Sequence, residues 1–407
     1  MVTRTLVRSQ TLRSLVFYAD VVFMGGLIIT IVFLPLSESL KNIGYFLALG
    51  GWVWKRVGDR RWPVTFTPIG VFFSLFFLAS LLSATFAIDR WSGFRGAWEV
   101  FRPLSLFLMI VNDVDTVPKV RFCLWSFIAS TGVGVAWGLF NYFSKNQLRL
   151  EIKSLGHPNS TAPYLVIMLA LLIGLLLLMD WPIPGKMAMG ALAVLTLVAL
   201  FLTYSRGGWA AFMACLLFFS ISLRRWTLIA VATLLVIATF LSLQIAGRLY
   251  TRQIEMLTHL SQDDNARERV KIWRAAILIL KDRPLLGVGP RNFRIKTLDY
   301  KQYGLKEPYR DGHSLFFHTM AEEGLLGLLA LTAVFVCYAY EGIKQRHVER
   351  SLCRALWYVA MGSFITVLVA GVVNTTLESE VAIAFWSLTA LMLSSSRAAR
   401  LPQVGWP

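Results

Sequence analysis

The sequence has few charged residues, few histidines and few cysteines for its length. Of its 407 residues, 15% are charged and five are histidine, whereas 56% are hydrophobic. The mean hydropathy of +0.61 is too high for an ordinary soluble domain. The four cysteines all fall in or beside apolar runs, so the sequence supports neither a disulfide framework nor a cysteine metal site.

Long apolar runs recur along the chain. About 20 apolar residues in a helix cross a bilayer, so these runs predict an all-α polytopic membrane protein with about twelve transmembrane helices. The predicted spans cover residues 15–36, 40–54, 66–86, 96–111, 120–143, 161–180, 186–203, 208–222, 226–246, 324–341, 355–373 and 379–395. The two halves show no internal repeat.

The net charge of +17 is distributed as a topology signal. Clusters of Lys and Arg at residues 4–13, 55–61, 224–225 and 344–354 fall on one side of the predicted spans. Such clusters mark the cytoplasmic side, so both termini are expected in the cytoplasm. No nucleic-acid motif interleaves the clusters; membrane lipids, and not nucleic acid, are the expected surroundings.

The charges divide the chain into three parts. Helices 1–9 are predicted over residues 1–246, a long outer loop over 247–312, and helices 10–12 over 313–407. In the loop, 14 Lys or Arg stand against 8 Asp or Glu, although the loop is predicted to lie outside. Residues 144–160 add further basic side chains on that side. The excess indicates an anionic partner.

Within the long loop, residues 265–281 carry apolar side chains on one helical face and charges elsewhere. This pattern predicts an amphipathic helix that docks on the bundle or on the lipid interface. The sequence Asp282-Arg283-Pro284 is expected to end it.

Four residues on the outer side are the main candidates for chemistry. His313 opens a hydrophobic helix, and histidine changes its charge near neutral pH, so it is a candidate general base. Arg206 and Arg269 have guanidiniums that match phosphate oxygens. Alternatively, Arg206 is a snorkelling boundary residue and Arg269 a solvated helix charge. Arg291, in a glycine-rich turn, is a weaker candidate for the same role.

Other polar residues are secondary candidates. Asn159 lies on the outer side, and Arg95 shares a helix face with Glu99 and Arg102, which predicts an ion network within the bundle. His318 is turned away from His313. Glu322 is about two and a half turns from His313, so it is expected to pack helices or anchor a loop.

The acidic residues do not indicate a metal site. Asp113-Val114-Asp115 falls in a predicted cytoplasmic loop, where helix capping is expected, and Asp263-Asp264 has no companion ligands. No cofactor is expected.

Four elements, in this order, resemble the O-antigen ligase and polymerase family of bacterial envelope glycosyltransferases. They are a Ser-Arg-Gly element within 203–208, Arg-x-x-x-Trp over 269–273, Asp-x-Pro-x-x-Gly-x-Gly-Pro within 282–293, and the histidine element within 313–327. In the histidine element, Glu322 stands nine positions after His313, and Gly324 stands two positions after Glu322. The chain has Ser314 where the family often has Asn, and Arg291 where it has a small residue.

The resemblance implies transfer of a glycan from an undecaprenyl diphosphate carrier, on the periplasmic side of the bacterial inner membrane. For an O-antigen ligase the acceptor is a sugar hydroxyl of the lipid A core. His313 would be the base, and arginines would bind the diphosphate without a metal. A single attack predicts inversion at the sugar carbon.

Two alternatives remain open at the level of sequence. An O-antigen polymerase or a protein O-oligosaccharyltransferase of the same family would use the same donor. A transporter of an anionic substrate would also suit twelve spans, but the candidate residues cluster on the outer side and not at mid-membrane.

Overall fold

The computed structural model describes residues 2–59, 64–227, 229–230, 233–234, 262–299, 309, 311–347 and 350–398. Over these residues the chain forms thirteen principal α-helices and no strand. They are α1 Val2–Val32, α2 Glu38–Asp59, α3 Pro68–Thr85, α4 Arg90–Asp113, α5 Val117–Ser144, α6 Pro158–Leu178, α7 Ile183–Leu202, α8 Arg206–Leu223, α9 Gln262–Asp282, α10 Phe293–Thr297, α11 Leu315–Lys344, α12 Ser351–Gly371 and α13 Ser379–Ala398.

Eight of the described helices are long and apolar enough to cross a membrane: α1 from Ser14 onward, α3, α5, α6, α7, α8, α11 and α12. The all-α polytopic architecture is therefore confirmed, whereas a count of twelve spans is not. Helices α2 and α4 have lower mean hydropathy because they carry several charges, and α13 because it is rich in Ser and Thr. The predicted span 226–246 lies largely outside the described residues, as does the first part of the long loop.

Local sequence explains where several helices begin. Thr67 precedes Pro68 and its hydroxyl accepts the Gly70 N–H, which is the usual chemistry of a helix start. The Asp89 carboxylate caps α4 in the same way by accepting the Trp91 N–H. The predicted amphipathic helix is present as α9, and it ends at Asp282, immediately before Arg283-Pro284.

The core is built around α6, the most buried of the candidate spans. It packs against α7, α8 and α12, while α3 packs against α4 and α11. Helix α9 lies on α11, and its apolar residues Ile272, Ala276 and Ile279 are buried there with Phe293. The loop helix is thus docked on the bundle, which fixes the position of its polar face.

The described parts of the connections predicted to lie on the outer side contact one another at one end of the bundle, here called the site end. Leu150 N–H donates to the Leu202 carbonyl at 2.8 Å, and Asp89 N–H donates to Asn292 Oδ1 at 2.7 Å. The Ser314 hydroxyl donates to the Gly371 carbonyl at 3.3 Å. These contacts join the segment after α5 to the end of α7, the segment after α3 to the segment after α9, and the start of α11 to the end of α12.

Helix α11 is broken at Gly324, whose φ of 67° lies in the left-handed region. The turn after α9 fills the break: Val288 and Gly289 N–H donate to the Ala321 and Glu322 carbonyls, at 3.1 and 2.8 Å. In return, Leu325 N–H donates to the Pro284 carbonyl at 2.9 Å. The polar backbone of a broken membrane helix is tolerated where protein satisfies it in this way.

At the opposite end of the bundle, Asp113 forms a buried ion cluster. Its carboxylate lies 3.0 Å from Lys55 Nζ and 2.5 Å from Arg56 Nη2, and it accepts the Trp52 indole N–H at 2.7 Å. The expected helix-capping role is wrong for this residue. It is the last residue of α4, and Thr116 occupies the N-cap position of α5.

Candidate active site

His313 lies at the site end, two residues before the first residue of α11. Its φ of 45° is in the left-handed region, which is uncommon for a residue with a side chain. Such conformations cluster at functional sites, where the surrounding structure holds them. Here Asp311 holds it, because the Asp311 carboxylate accepts the His313 N–H at 2.8 Å. The imidazole is one-third exposed and therefore accessible.

The same carboxylate orients the imidazole. Asp311 Oδ1 lies 3.2 Å from His313 Nδ1. A proton on Nδ1 is favoured by this acceptor, which leaves the Nε2 lone pair as the basic one. Burial raises the pKa of the Asp311 carboxyl. The charges of His313 and His318, together with hydrogen bonding from the His313 N–H and the Thr375 hydroxyl, lower this pKa by more than burial raises it. Its pKa therefore lies below the ordinary value, and the group is an anion at neutral pH.

Helix α9 reaches the histidine through a tyrosine. The Tyr309 hydroxyl donates to Glu268 of α9, and the Tyr309 ring packs edge-on to His313 with a centroid distance of 6.2 Å. Glu268 also accepts from Lys271 at 3.2 Å. This contact fixes α9, and with it the adjacent Arg269, relative to the imidazole.

Arg206 is the first residue of α8, and its side chain is exposed at the site end. The preceding Ser205 accepts the Gly208 N–H at 3.4 Å and donates to Asn159 Oδ1 at 3.0 Å. Asn159 lies in the first turn of α6. Its structural contact is thus with the turn that carries Arg206.

Arg269 lies within electrostatic range of both Arg206 and Asp311. Burial lowers the pKa of the Arg269 guanidinium, the Arg206 charge lowers it further, and the Asp311 carboxylate opposes both. In the described part of the chain neither arginine has a carboxylate within 4.0 Å. Two guanidiniums that repel each other without a bound carboxylate form a ready site for an anion.

The loop before α6 adds a second histidine, His157. Its Nδ1 accepts the Asn159 N–H at 3.1 Å and so caps α6. Burial lowers the His157 pKa, Asp311 raises it, and the charges of His313 and Arg149 lower it again, so that it lies below the ordinary value. His157 therefore faces the Asp311–His313 pair as a neutral imidazole.

Arg291 has a different partner from Arg206 and Arg269. Its guanidinium donates to both carboxylate oxygens of Glu99, at 2.8 and 3.1 Å. This bidentate pair joins α4 to the turn after α9. The Arg291 side chain, whose backbone φ is 60°, is already engaged with a carboxylate.

Glu322 anchors this turn. Its carboxylate accepts the backbone N–H of Arg291 at 2.7 Å and of Phe293 at 2.9 Å. Both the carboxylate and the α11 backbone around it thus bind the segment after α9. These contacts match the expected loop-anchoring role and include none with His313.

His318 lies one turn before Glu322 on α11. Its Nε2 is 3.4 Å from Glu322 Oε2, and its Nδ1 accepts the Gly312 N–H at 3.3 Å. The imidazole therefore supports the backbone beside Asp311 and is directed into the protein. This orientation agrees with the prediction that the His318 side chain is turned away from the face that carries His313.

The expected ion network of Arg95, Glu99 and Arg102 does not form. The exposed Arg95 guanidinium lies 5.0 Å from the Trp91 ring centroid, Glu99 binds Arg291, and the buried Arg102 donates to Asn42 Oδ1 at 3.1 Å. The three share a helix face, but their partners lie on different elements. Arg95 is not in contact with the histidine or with the two clustered arginines.

Asp311, Thr375, Asn374 and His157 also lie at this site, although none of them is among the candidates predicted from the sequence. Asp311 directly precedes Gly312-His313, so the local sequence offered a signal for it. Thr375 and Asn374 lie in the short segment between α12 and α13, which carries no recognisable pattern. Within the described ranges, no group of three or more His, Cys, Asp or Glu side chains could hold a metal ion.

Comparison with known proteins bears on residues 191–332, which match the family model described as O-antigen ligase. No curated protein matches the chain. The matched segment contains Arg206, Arg269, Arg291, His313 and Glu322, whereas Asn159 and Asn374 lie outside it. The resemblance predicted from the four motifs is thus confirmed over residues 191–332, the part of this chain that is similar to the O-antigen ligase family.

Proposed function

We propose that the protein is an O-antigen ligase. It transfers a glycan from undecaprenyl diphosphate to a sugar hydroxyl of the lipid A core, at the periplasmic face of the bacterial inner membrane. The observation that carries the proposal is that an accessible, carboxylate-oriented histidine and two arginines lie at one end of a membrane bundle, and that neither arginine is paired with a carboxylate of the described residues. The family of residues 191–332 supports the same reaction class.

In the proposed reaction, His313 Nε2 removes the proton from the acceptor hydroxyl. The acceptor oxygen forms a bond to the anomeric carbon of the donor sugar while the bond from that carbon to the phosphate oxygen breaks. The diphosphate leaves with the electron pair, and the proton remains on the imidazole. A single displacement of this kind inverts the configuration at the sugar carbon.

The cations are proposed to act on the leaving group. Negative charge grows on the diphosphate as the bond breaks, and fixed guanidiniums at that position stabilise the transition state more than the ground state. Arg206 and Arg269 take this role, so the reaction is proposed to need no metal. Asp311 stabilises the imidazolium that forms on His313. Arg291, bound by Glu99, is assigned to holding the turn.

The proposal is tested with purified protein, an undecaprenyl diphosphate-linked glycan and lipid A core. A general base contributes about 10² to 10⁴ in rate, so His313→Ala should lose that much turnover. Arg206→Ala and Arg269→Ala should weaken donor use. His347→Ala and Arg225→Ala are matched controls, because both residues lie at the opposite end of the bundle. Full turnover by His313→Ala would refute the mechanism.

The acceptor is tested separately. Lipid A core, carrier-linked glycan and a pilin-like protein are offered in parallel with one donor. Transfer to lipid A core alone supports the ligase, whereas transfer to carrier-linked glycan identifies a polymerase and transfer to protein an O-oligosaccharyltransferase. Metal dependence is measured by adding EDTA; complete inhibition that Mg²⁺ reverses would contradict the role assigned to the guanidiniums.

A further inference from the structure

Asn374 has a buried side-chain amide without a hydrogen-bond partner among the described residues. It lies between α12 and α13 at the site end, and its side chain is only 4% exposed. In the described part of the chain, neither its Oδ1 nor its Nδ2 has a hydrogen-bond partner. Buried polar groups are almost always hydrogen-bonded, so an amide with both ends unpaired requires a ligand or ordered solvent to satisfy it.

The amide lies against the first turn of α8. A Cβ atom placed on Gly207 would come within 2.9 Å of Asn374 Nδ2 and 2.8 Å of Val373 Cγ2. The absence of a side chain at Gly207 thus allows Asn374 to approach the backbone beside Arg206. The next residue, Thr375, lies beside the Asp311 carboxyl and helps to lower its pKa. One short segment therefore contacts both the arginine turn and the carboxylate that holds His313.

Backbone N–H groups at the start of α8 are available as hydrogen-bond donors. Ser205 accepts the Gly208 N–H, and the Arg206 and Gly207 N–H groups have no acceptor among the residues that the structure describes. The first N–H groups of a helix and its dipole favour an anion, and phosphate is commonly bound there. The exposed Arg206 side chain adds a full positive charge at the same point.

We propose that the N-terminus of α8 and the Asn374 amide form a subsite for the sugar-linked phosphate of the donor. The inference rests on the proposed function and extends it to new residues. The Arg206 and Gly207 N–H groups and Asn374 Nδ2 donate to phosphate oxygens. Asn374 Oδ1 accepts from a hydroxyl of the attached sugar. A polyprenyl-linked glycosyl diphosphate presents both partners side by side, which suits an amide with two unpaired ends.

The test measures binding of undecaprenyl diphosphate to the full-length protein in nanodiscs, with undecaprenol as the probe that lacks phosphate. Loss of one hydrogen bond to a charged group should weaken binding about 10- to 100-fold. Asn374→Ala should show this loss for undecaprenyl diphosphate and leave undecaprenol binding unchanged. Asn112→Ala is the matched control, since Asn112 lies at the opposite end, where it bonds to Thr65.

A second variant keeps the shape of the side chain. Asn374→Asp has nearly the same volume, so it should preserve the fold while placing a negative charge beside the phosphate. Its loss of binding should exceed that of Asn374→Ala at pH 7.5. The loss relative to wild type should shrink as the pH is lowered and the new carboxyl takes up a proton. A purely structural role for Asn374 would not produce this pH dependence.

The outcomes separate the subsite from the reaction. If Arg206→Ala weakens diphosphate binding but both Asn374 variants bind like wild type, the subsite is refuted and the proposed function stands. Equal weakening of both probes by the Asn374 variants would also refute the subsite, because it shows a general structural defect. If wild-type protein does not distinguish undecaprenyl diphosphate from undecaprenol, the proposed function and the subsite are both refuted.

Discussion

The Asp311 carboxylate binds His313 twice, at the backbone N–H at 2.8 Å and near Nδ1 at 3.2 Å. Asp311→Asn should keep the acceptor for the N–H but lose the charge that stabilises an imidazolium. We therefore expect kcat to fall at least about tenfold, yet less than in His313→Ala. Single-turnover rates with saturating donor would measure this.

The control for this change is the double variant. If Asp311 acts through His313, Asp311→Asn should cost little more in a His313→Ala background than in His313→Ala alone. Independent, additive losses would show that Asp311 acts elsewhere. Equal melting temperatures for wild type and Asp311→Asn would exclude a folding defect.

Arg291 offers a test of whether any arginine at the site end suffices. Because Glu99 binds its guanidinium, Arg291→Ala should alter turnover by less than a few fold, whereas Arg206→Ala and Arg269→Ala should reduce it strongly. The exposed ion pair should contribute only about 0–1 kcal/mol to stability. A turnover loss in Arg291→Ala that matches the loss in Arg206→Ala would place Arg291 at the diphosphate after all.

Much of the framework follows from local sequence. Apolar run lengths predict the helices, and the periodicity of residues 265–281 predicts α9 and its docked face. That Glu322 does not contact His313 also follows from their spacing of nine positions. These features depend on neighbours in the chain, so a single sequence contains them.

The partners of charged residues could not be predicted in the same way. Arg95, Glu99 and Arg102 share a helix face, yet Glu99 and Arg102 bind Arg291 and Asn42 through tertiary packing. Asn374 and Thr375 reach the site only because α12 and α13 meet the start of α8 there. Such contacts join residues 60 or more positions apart, and local periodicity carries no information about them.

Gly324 should be intolerant of substitution. Its φ is 67°, and an added Cβ would lie 2.4 Å from the Leu285 carbonyl carbon. Gly324→Ala should therefore displace the turn after α9, lower the melting temperature and reduce turnover together. Gly190→Ala is the matched control, because a Cβ there meets nothing within 4 Å and alanine favours helix by about 1 kcal/mol. A Gly324→Ala protein with wild-type stability would show that the docking is dispensable.

The orientation of the bundle is testable by labelling. Lys153 lies at the site end and Arg225 at the opposite end, both exposed, whereas the four native cysteines are buried. In spheroplasts, a membrane-impermeant maleimide should label Lys153→Cys and not Arg225→Cys, and lysis should expose the second. Labelling of Arg225→Cys alone in intact spheroplasts would place the site in the cytoplasm.

His157 predicts how stability depends on pH. Its pKa is lowered in the folded protein, first by burial and then by the charges of His313 and Arg149. As the pH falls below about 6.5, His157 takes up a proton in the unfolded chain. In the folded protein its lowered pKa keeps the imidazole neutral to lower pH. The free energy of unfolding therefore decreases progressively until the pH reaches the pKa of folded His157. Asparagine can cap α6 without titrating, so His157→Asn should show a smaller fall in melting temperature between pH 7.5 and 5. The difference should be modest because solvent screens a partly exposed side chain. Parallel curves for the two proteins would show that His157 does not titrate in this range.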